Sequence, residues 1–311
     1  MDEDTISRAT IDRHDMIALI LGLHTPFYDT IAHGARLAAE QQRMPLLVDA
    51  PAQFDPAEQA RIVDDYITRK VAAIIIAPCD GQALIEPLQR AHNEGIKIIT
   101  VDAFIGDGNY VNGPVTFPLA YIGSDNAKGG RMAGEALLRV MGGRGTVYVQ
   151  TLQAGVSATD LREQGFAEVI AQSNGAVSIV GMQFDGGSIA RAAEQTAAML
   201  RQYPALTGIM STGDYSSRGV AQALRATNKS QHIKVARFDA SQDAINDLRA
   251  GIVDVVISQL PTEMGRLAVE YAVLALRDKD SPLKKYVETA FVLIDRDNVI
   301  TPEAQRAIYI A

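Results

Sequence analysis

The sequence predicts an α/β protein of two lobes, each built on a doubly wound parallel sheet. Apolar runs of strand type alternate with helical periods along the chain, which indicates parallel strands covered by helices on both faces. The pattern occurs twice, about 130 residues apart: "MIALILGL" at Met16 matches "TVYVQTLQ" at Thr146, and "GARLAAEQ" at Gly34 matches "GFAEVIAQ" at Gly165. Right-handed crossovers in each copy then give two sheets.

The first copy contains four apolar runs rich in β-branched residues, separated by amphipathic periods. Pro26 and Pro56 suit the first turns of helices, where proline loses no hydrogen bond, and Gly95 suits a helix end. The predicted strands lie near 16–23, 44–49, 73–77 and 96–101. The predicted helices lie near 28–42, 56–70 and 83–94.

The second copy repeats this order with a few residues of drift, as loop insertions would give. "AAIIIAPCD", which ends at Asp80, matches "LTGIMSTGD", which ends at Asp214, and "QFD" occurs in both copies, at Gln53 and Gln183. The predicted strands lie near 145–150, 177–183, 207–210 and 233–237. The predicted helices lie near 160–173, 188–202, 216–226 and 241–249.

The composition limits the possible partners and compartments. A net charge of −8 and a pI near 5.2 argue against nucleic acid or an anionic membrane surface. The single cysteine, Cys79, excludes an intramolecular disulfide, and no apolar run reaches the roughly 18 residues of a membrane span. Residues 1–15 are polar and acidic, so we expect a flexible segment and not a signal peptide. Either a signal was removed or the protein is cytoplasmic.

Carboxylates and aromatic rings stand where the predicted strands end, which is where doubly wound sheets bind ligands. A single aspartate there often caps the next helix, but several acids paired between two copies favour a site. Aromatic rings can cover the C–H faces of a ligand, and carboxylates can accept hydrogen bonds from its hydroxyls. Rings and carboxylates together therefore indicate a polyhydroxylated ligand. These segments are "LHTPFY" from Leu23, Cys79-Asp80, Asp102-Ala103-Phe104, Gln183-Phe184-Asp185, Gly213-Asp214 and Phe238-Asp239.

The order and spacing of eight segments resemble the type I periplasmic sugar-binding proteins of ABC importers, the ribose-binding-like family. The resemblance implies a three-segment hinge near Ser124-Asp125, Gln259-Leu260 and Val287-Ala290. The expected N-terminal lobe is 16–124 plus 260–288, and the C-terminal lobe is 125–259 plus 289–311. The segments are "TPFYDTIAHGA", "ITVDAF", "YIGSDNAKGGRMAGEAL", "GFAEVI", "QFD", "GDYSSRGVAQAL", "VARFDAS" and "ISQLPTEMGRLAVE".

The same resemblance implies the residues that bind the ligand. Phe27 and Tyr28 would enclose a sugar together with Phe184 from the other lobe, whereas the first "QFD" would be structural. Carboxylates would bind hydroxyls, Gln259 would reach in from the hinge, and Phe238 would lie beside it. The predicted set is His24, Thr25, Phe27, Tyr28, Asp102, Asp160, Arg162, Phe184, Asp214, Phe238, Asp239 and Gln259.

Departures from the family pattern bear on the ligand. Ribose-binding members carry Asn-Asn where His24-Thr25 stands and Asp-Arg where Asp102-Ala103 stands, so ribose is not expected. The family's helix arginine aligns with Asp160, but Arg162 is two positions on, and either could face the ligand. Clustered carboxylates need a cation or hydroxyl donors. One hypothesis is an amino sugar; the other is a neutral hexose, deoxy sugar or polyol. His24 is either a contact or a solvated loop residue.

No motif predicts catalysis, a metal or a cofactor, since nucleophile elbows, phosphate loops and metal-ligand spacings are missing from the sequence. The effector lobes of lac-repressor-like regulators resemble the same family, but they require a DNA-binding module before the first strand. We therefore predict a monomeric periplasmic solute-binding protein that delivers a sugar, amino sugar or polyol to an ABC permease by hinge closure. A ligand-sensing protein, or an effector domain without its DNA-binding module, is the alternative.

Overall fold

The computed structural model describes residues 16–230, 232–278 and 282–310, so the predicted flexible segment 1–15 lies outside the described residues. The first copy begins with strands and helices in alternation, close to the predicted bounds. Its elements are β1 (Ile17–Ile20), α1 (Pro26–Gln42), β2 (Leu46–Asp49), α2 (Pro56–Arg69), β3 (Ala73–Ile76), α3 (Ile85–Asn93), β4 (Lys97–Val101) and β5 (Ala120–Ser124).

The second copy has the same alternation and is followed by a return to the first sheet. Its elements are α4 (Asn126–Met141), β6 (Gly145–Thr151), α5 (Ser157–Ala171), β7 (Val177–Phe184), α6 (Ile189–Gln202), β8 (Gly208–Ser211), α7 (Asp214–Thr227), β9 (Lys234–Phe238), α8 (Gln242–Arg249) and β10 (Val255–Ser258). The remaining elements are α9 (Pro261–Arg277), β11 (Tyr286–Thr289), β12 (Val292–Ile294) and α10 (Pro302–Arg306).

The strands form two six-stranded sheets of the same topology. The orders are β11-β5-β4-β3-β1-β2 and β12-β10-β9-β8-β6-β7. All pairings are parallel except that of β12 with β10, which is antiparallel at the edge of the second sheet. The predicted class of two doubly wound lobes is therefore confirmed, with one antiparallel edge strand that the sequence pattern did not predict.

The chain passes between the two sheets three times. It leaves the first sheet after β5, because α4 packs on β9 and β10 of the second. It returns after β10, since α9 packs on α1 and β4, and it crosses a third time between β11 and β12. Within the described ranges, no helix combines the length and apolarity that a membrane crossing requires.

Glycines let one helix pair in each lobe approach very closely. A Cβ on Gly34 of α1 would stand 2.0 Å from the Thr262 carbonyl oxygen of α9. A Cβ on Gly165 of α5 would stand 2.0 Å from the Ala127 carbonyl oxygen of α4. The two glycines are partners in the sequence repeat, so the repeat preserves a backbone-to-backbone contact as well as a strand order.

Candidate ligand-binding cleft

The cleft lies between the carboxyl ends of the strands of both sheets, as expected for doubly wound folds. Both lobes contribute, and the lining combines buried polar groups with rings and aliphatic side chains. The lining residues are Leu23, Thr25, Phe27, Tyr28, Phe54, Asp102, Leu152, Val156, Ala158, Thr159, Arg162, Gly187, Gly213, Asp214, Tyr215, Ser216, Asp239 and Gln259.

Asp102 and Asp239 occupy equivalent positions in the two lobes. Each directly follows a strand, β4 or β9, and each has a left-handed backbone, with φ of 66° and 72°. Their amides donate to Ile122 and Ile257, the carbonyls of the next strands. A positive φ at a non-glycine residue is uncommon and collects at functional sites, although aspartate tolerates it better than most residues. The shared geometry directs both side chains to the cleft.

Asp102 is a buried carboxylate with one oxygen occupied. The Tyr28 hydroxyl donates to Oδ2 at 3.2 Å, whereas buried Oδ1 has no partner among the described residues. Burial raises the pKa of Asp102 to about 6, and the guanidinium of Arg162 acts in the opposite direction. Burial, and then Asp102 itself, raise the pKa of Tyr28, so this hydroxyl stays protonated and donates.

Asp239 is buried in the same way and receives more protein donors. Its Oδ1 accepts from the Tyr309 hydroxyl at 3.0 Å and from Gln259 Nε2 at 3.3 Å. Burial raises the pKa of Asp239, and Arg162 again opposes the change. Gln259 is 1% exposed, and its Oε1 has no partner among the described residues. This oxygen is a second free acceptor in the cleft.

Of the two α5 candidates, Arg162 reaches the cleft and Asp160 does not. Its Nε donates to Asn126 at 2.9 Å and its Nη1 to the Thr212 carbonyl at 2.6 Å, while buried Nη2 has no partner in the described chain. The guanidinium lies 4.3 Å from the ring centroid of Phe238. Asp160 is outside the lining and accepts from the Gly155 amide at 3.1 Å in its own loop.

Asp214 is the first residue of α7, and buried side chains of the second lobe bond its carboxylate. Arg237, which is fully buried, approaches Oδ1 at 3.1 Å, and Ser241 also donates to Oδ1 at 3.1 Å. Buried Oδ2 has no hydrogen-bond partner among the described residues, although Arg218 lies 3.9 Å away.

The aromatic lining differs from the one that the resemblance implied. Phe27 and Tyr28 line the cleft as predicted, but Phe184 is 42% exposed and lies outside it. The register of β6 and β7 shifts by one residue between Val147 and Tyr148. Each later β7 side chain therefore points to the face opposite to the one that regular alternation along the strand would give it. Phe54, from the first "QFD", lines the cleft instead.

Two further predicted residues, His24 and Phe238, lie outside the cleft lining, and a third, Thr25, lines the cleft with its hydroxyl already engaged. His24 is exposed, lies outside the lining, and has Nδ1 2.9 Å from Asp29 Oδ1. Phe238 is fully buried and supports Arg162 from beneath the cleft. Thr25 is at the cleft, but its hydroxyl caps α1 by accepting from the Tyr28 amide at 3.2 Å.

Sequence reasoning missed the aliphatic and aromatic wall contributed by the second lobe. Tyr215 directly follows Asp214, so the strand-end rule that found Asp214 would have included it. Leu152, Val156 and Thr159 belong to the loop between β6 and α5 and the first turn of that helix. That loop lies beyond the carboxyl end of the first strand of its lobe, which was the available signal.

The two lobes touch at the rim of the cleft, so this is a closed arrangement. The Gly81 amide donates to the Gly155 carbonyl at 3.2 Å, and the Phe104 amide donates to Ser157 Oγ at 3.0 Å. On another side, the Tyr215 hydroxyl donates to a carbonyl of the first lobe at 3.5 Å. These contacts join loops and first helical turns that follow strands of opposite sheets.

Two lobes, three crossings and a polar cleft at facing strand ends define a two-lobed binding protein of the type I architecture. The chain belongs to the periplasmic binding protein family: residues 18–280 match its "Periplasmic binding protein domain". The relationship that the motifs predicted is confirmed.

Relatives of this chain are known both by sequence and by structure. The ribose import binding protein RbsB of Salmonella typhimurium is 26% identical over 281 residues, which cover 90% of each chain. A solute-binding protein from Agrobacterium vitis, solved with α-D-tagatopyranose, is 36% identical with a TM-score of 0.92, over 95% of this chain and 99% of that one. A protein from Actinobacillus succinogenes with bound D-allose is 25% identical, with a TM-score of 0.82, over 91% and 98%.

Proposed function

We propose that this chain is the solute-binding component of an ABC importer and that its cleft binds a neutral monosaccharide or sugar alcohol. Among the described residues, five buried side-chain polar atoms lack a hydrogen-bond partner, and the four that belong to cleft-lining residues carry the proposal. Asp102 Oδ1, Asp214 Oδ2 and Gln259 Oε1 are acceptors, and Arg162 Nη2 is a donor. An unpaired buried polar atom costs about 1–3 kcal/mol, so a ligand with several hydroxyl donors and one oxygen acceptor would relieve most of that cost.

The charges around the cleft favour a neutral ligand over an amino sugar. Asp214 pairs with buried Arg237, and Arg162 opposes the raised pKa of both Asp102 and Asp239. Asp160, which motivated the amino sugar hypothesis, is outside the lining. One carboxylate remains in excess, and neutral hydroxyl donors can satisfy it by charge-assisted hydrogen bonds. An ammonium ligand is therefore not required.

The apolar part of the lining fits the C–H faces of a sugar ring. Phe27 lies at the base, 5% exposed, with its ring centroid 5.1 Å from that of Tyr28 in an edge-on arrangement. Tyr215 and Phe54 also line the cleft. Rings against C–H faces and carboxylates against hydroxyls are the combination that selects carbohydrates. The Agrobacterium vitis relative with its bound ketohexose supports this assignment.

Closure about the three crossings would couple binding to transport. The proposed hinge lies near Ser124, Gln259 and Thr289, between lobes 16–124 with 260–288 and 125–259 with 289–311. A ligand that contacts Asp102 in one lobe and Arg162 in the other favours the closed form, which a permease would recognise. A monomer in the periplasm is the form that we propose, and the family's description supports the location.

A thermal-shift panel tests the proposal. D-Tagatose, D-allose, D-ribose, galactitol and D-galactosamine are compared on the wild-type chain and on an Asp160→Asn variant. A sugar at about 1,000 times its dissociation constant raises the unfolding free energy by roughly 4 kcal/mol. We expect a neutral compound to give the largest shift and Asp160→Asn to leave it unchanged. Failure of every carbohydrate would refute the ligand class, and preference for galactosamine that depends on Asp160 would restore the amino sugar hypothesis.

A further inference from the structure

We propose that Tyr309 is a positioning residue, which orients the Asp239 carboxylate toward the ligand and links it to the aromatic wall of the first lobe. The inference rests on the proposed function, because it concerns the same cleft. Tyr309 is outside the cleft lining and 4% exposed. It would therefore act on the ligand through Asp239 and Gln259 and not by contact.

The Tyr309 hydroxyl is bonded to two groups of the second lobe. It donates to Asp239 Oδ1 at 3.0 Å and accepts from the Gln259 backbone amide at 3.2 Å. The Tyr309 amide donates to the Ala240 carbonyl at 2.9 Å, so its backbone is fixed to the residue after Asp239. Burial raises the pKa of Tyr309 well above its ordinary value, which keeps the hydroxyl protonated. A neutral, fixed donor therefore faces one oxygen of the carboxylate.

This donor determines which oxygen of Asp239 is free. Oδ1 accepts from both Tyr309 and Gln259 Nε2, whereas no hydrogen bond joins Oδ2 to any described residue. The ligand therefore meets Oδ2. Removal of the tyrosine hydroxyl leaves Oδ1 with a single, longer bond, and the carboxylate can rotate about its Cβ–Cγ bond. The loss would also leave the buried Gln259 amide without its acceptor.

Segment 307–310 joins the two lobes around this contact. Ser258 Oγ of the second lobe donates to the Ala307 carbonyl at 2.6 Å, and the Ile310 amide donates to Thr30 Oγ1 of α1 at 3.1 Å. The Tyr309 ring lies 5.6 Å from the Phe27 ring, centroid to centroid. One short segment thus contacts the ring that lines the cleft in the first lobe and the carboxylate that lines it in the second.

Asp102 and Asp239, the two carboxylates that directly follow β4 and β9, each have one tyrosine donor. Tyr28 donates to Asp102 from within the cleft, and Tyr309 donates to Asp239 from behind it. Both carboxylates accept from a tyrosine hydroxyl, but the two tyrosines do not occupy matching positions in the sequence repeat. This independent recurrence indicates that each carboxylate needs a fixed donor to hold its orientation.

The test compares two tyrosine-to-phenylalanine variants of the full chain. Tyr309→Phe keeps the ring against Phe27 and removes only the hydroxyl. Tyr110→Phe is the matched control, since the Tyr110 hydroxyl is also buried and bonded, to Thr100 at 2.9 Å and to the Ile105 amide at 3.0 Å, but lies outside the cleft lining. Calorimetry with D-tagatose, or with the panel sugar that gives the largest shift, should show about ten-fold weaker binding for Tyr309→Phe and wild-type binding for Tyr110→Phe.

A carboxyl titration provides a second readout that a merely structural role would not change. The Tyr309 hydroxyl bond lowers the pKa of Asp239. Tyr309→Phe should therefore raise it, and sugar binding should weaken at a higher pH on acidification than in the wild type. The aspartate carboxyl carbons are followed by NMR, with Asp239→Asn to assign the signal. The charged and titratable groups that face Asp239 are Arg162, Arg237, Asp102, Asp214, Tyr28 and Tyr309.

The outcomes separate the two proposals. Wild-type affinity in Tyr309→Phe, an unchanged Asp239 titration, or an equal loss of affinity in Tyr110→Phe would each overturn the positioning role. If no panel sugar binds the wild-type chain, the proposed function fails. The titration of Asp239 in the unliganded protein then still decides whether Tyr309 fixes the carboxylate.

Discussion

Replacement of Asp102 by asparagine should stabilise the unliganded protein while weakening sugar binding. Burial raises the pKa of this carboxyl from 3.8 to about 6. The folded protein therefore holds the proton more tightly than the unfolded chain, and the wild type loses stability as the pH rises through this window. The difference corresponds to about 3 kcal/mol at pH 7 and about 1.5 kcal/mol at pH 5. Asparagine removes the buried charge and tolerates the left-handed backbone at this position.

Urea denaturation of the unliganded wild-type and Asp102→Asn proteins at pH 5 and pH 7 measures both values. The variant should be the more stable of the two, and its advantage should roughly halve at pH 5. Sugar affinity should fall by about ten-fold, because a charged acceptor becomes neutral. Asp80→Asn is the control for affinity, since Asp80 follows β3 in the same sheet but accepts only from the Gln82 and Ala83 amides. A variant less stable than the wild type at pH 7, or an advantage independent of pH, would refute the electrostatic reasoning.

Three further predictions follow from the cleft geometry. Arg162→Lys should weaken sugar binding by at least ten-fold in calorimetry, because lysine cannot reproduce the bonds of Nε, Nη1 and Nη2. An unchanged affinity would contradict the role of Arg162 in the proposed site. Phe184→Ala should change the affinity for sugar by less than two-fold, whereas Tyr215→Ala should weaken it several-fold. The reverse order would restore the family-based assignment, in which Phe184 encloses the sugar together with Phe27 and Tyr28. Gly34→Ala should lower the free energy of unfolding in urea by about 1–3 kcal/mol, since the alanine Cβ would meet the Thr262 backbone. Wild-type stability in this variant would mean that α1 and α9 move apart easily.

The fold could be predicted because its signals are local and repeated. Strand runs such as "AAIIIAP" before Cys79, proline at the first turns of α1 and α2, and the match between Gly34 and Gly165 depend only on short segments. The antiparallel β12 was not predictable in this way, since its three residues are too short to show a period.

The site was predictable where the backbone of a strand end determines the side-chain direction. Asp102 and Asp239 belong to this group, and both line the cleft. Phe184 does not, because the β6–β7 register shifts by one residue before it. The only local sign of that shift is Gly181, and a glycine inside a strand suggests a bulge without fixing the direction of later side chains.

Contacts between distant segments could not be read from the sequence at all. Tyr309 stands 70 residues beyond Asp239, and their hydrogen bond depends on the third crossing and on α10. The sequence could not decide whether Asp160 or Arg162 faces the cleft for the same reason, since the answer depends on how α5 packs against α4. Such contacts are set by the assembled lobes and not by any single element.

A crystal structure of the wild-type chain with the tightest-binding panel sugar tests the central claim most directly. The proposed function predicts ligand hydroxyls within hydrogen-bond distance of Asp102 Oδ1, Asp214 Oδ2 and Gln259 Oε1, and a ligand oxygen that accepts from Arg162 Nη2. A sugar bound outside this cleft, or one bound within it that leaves these four atoms unpaired, would contradict the proposal.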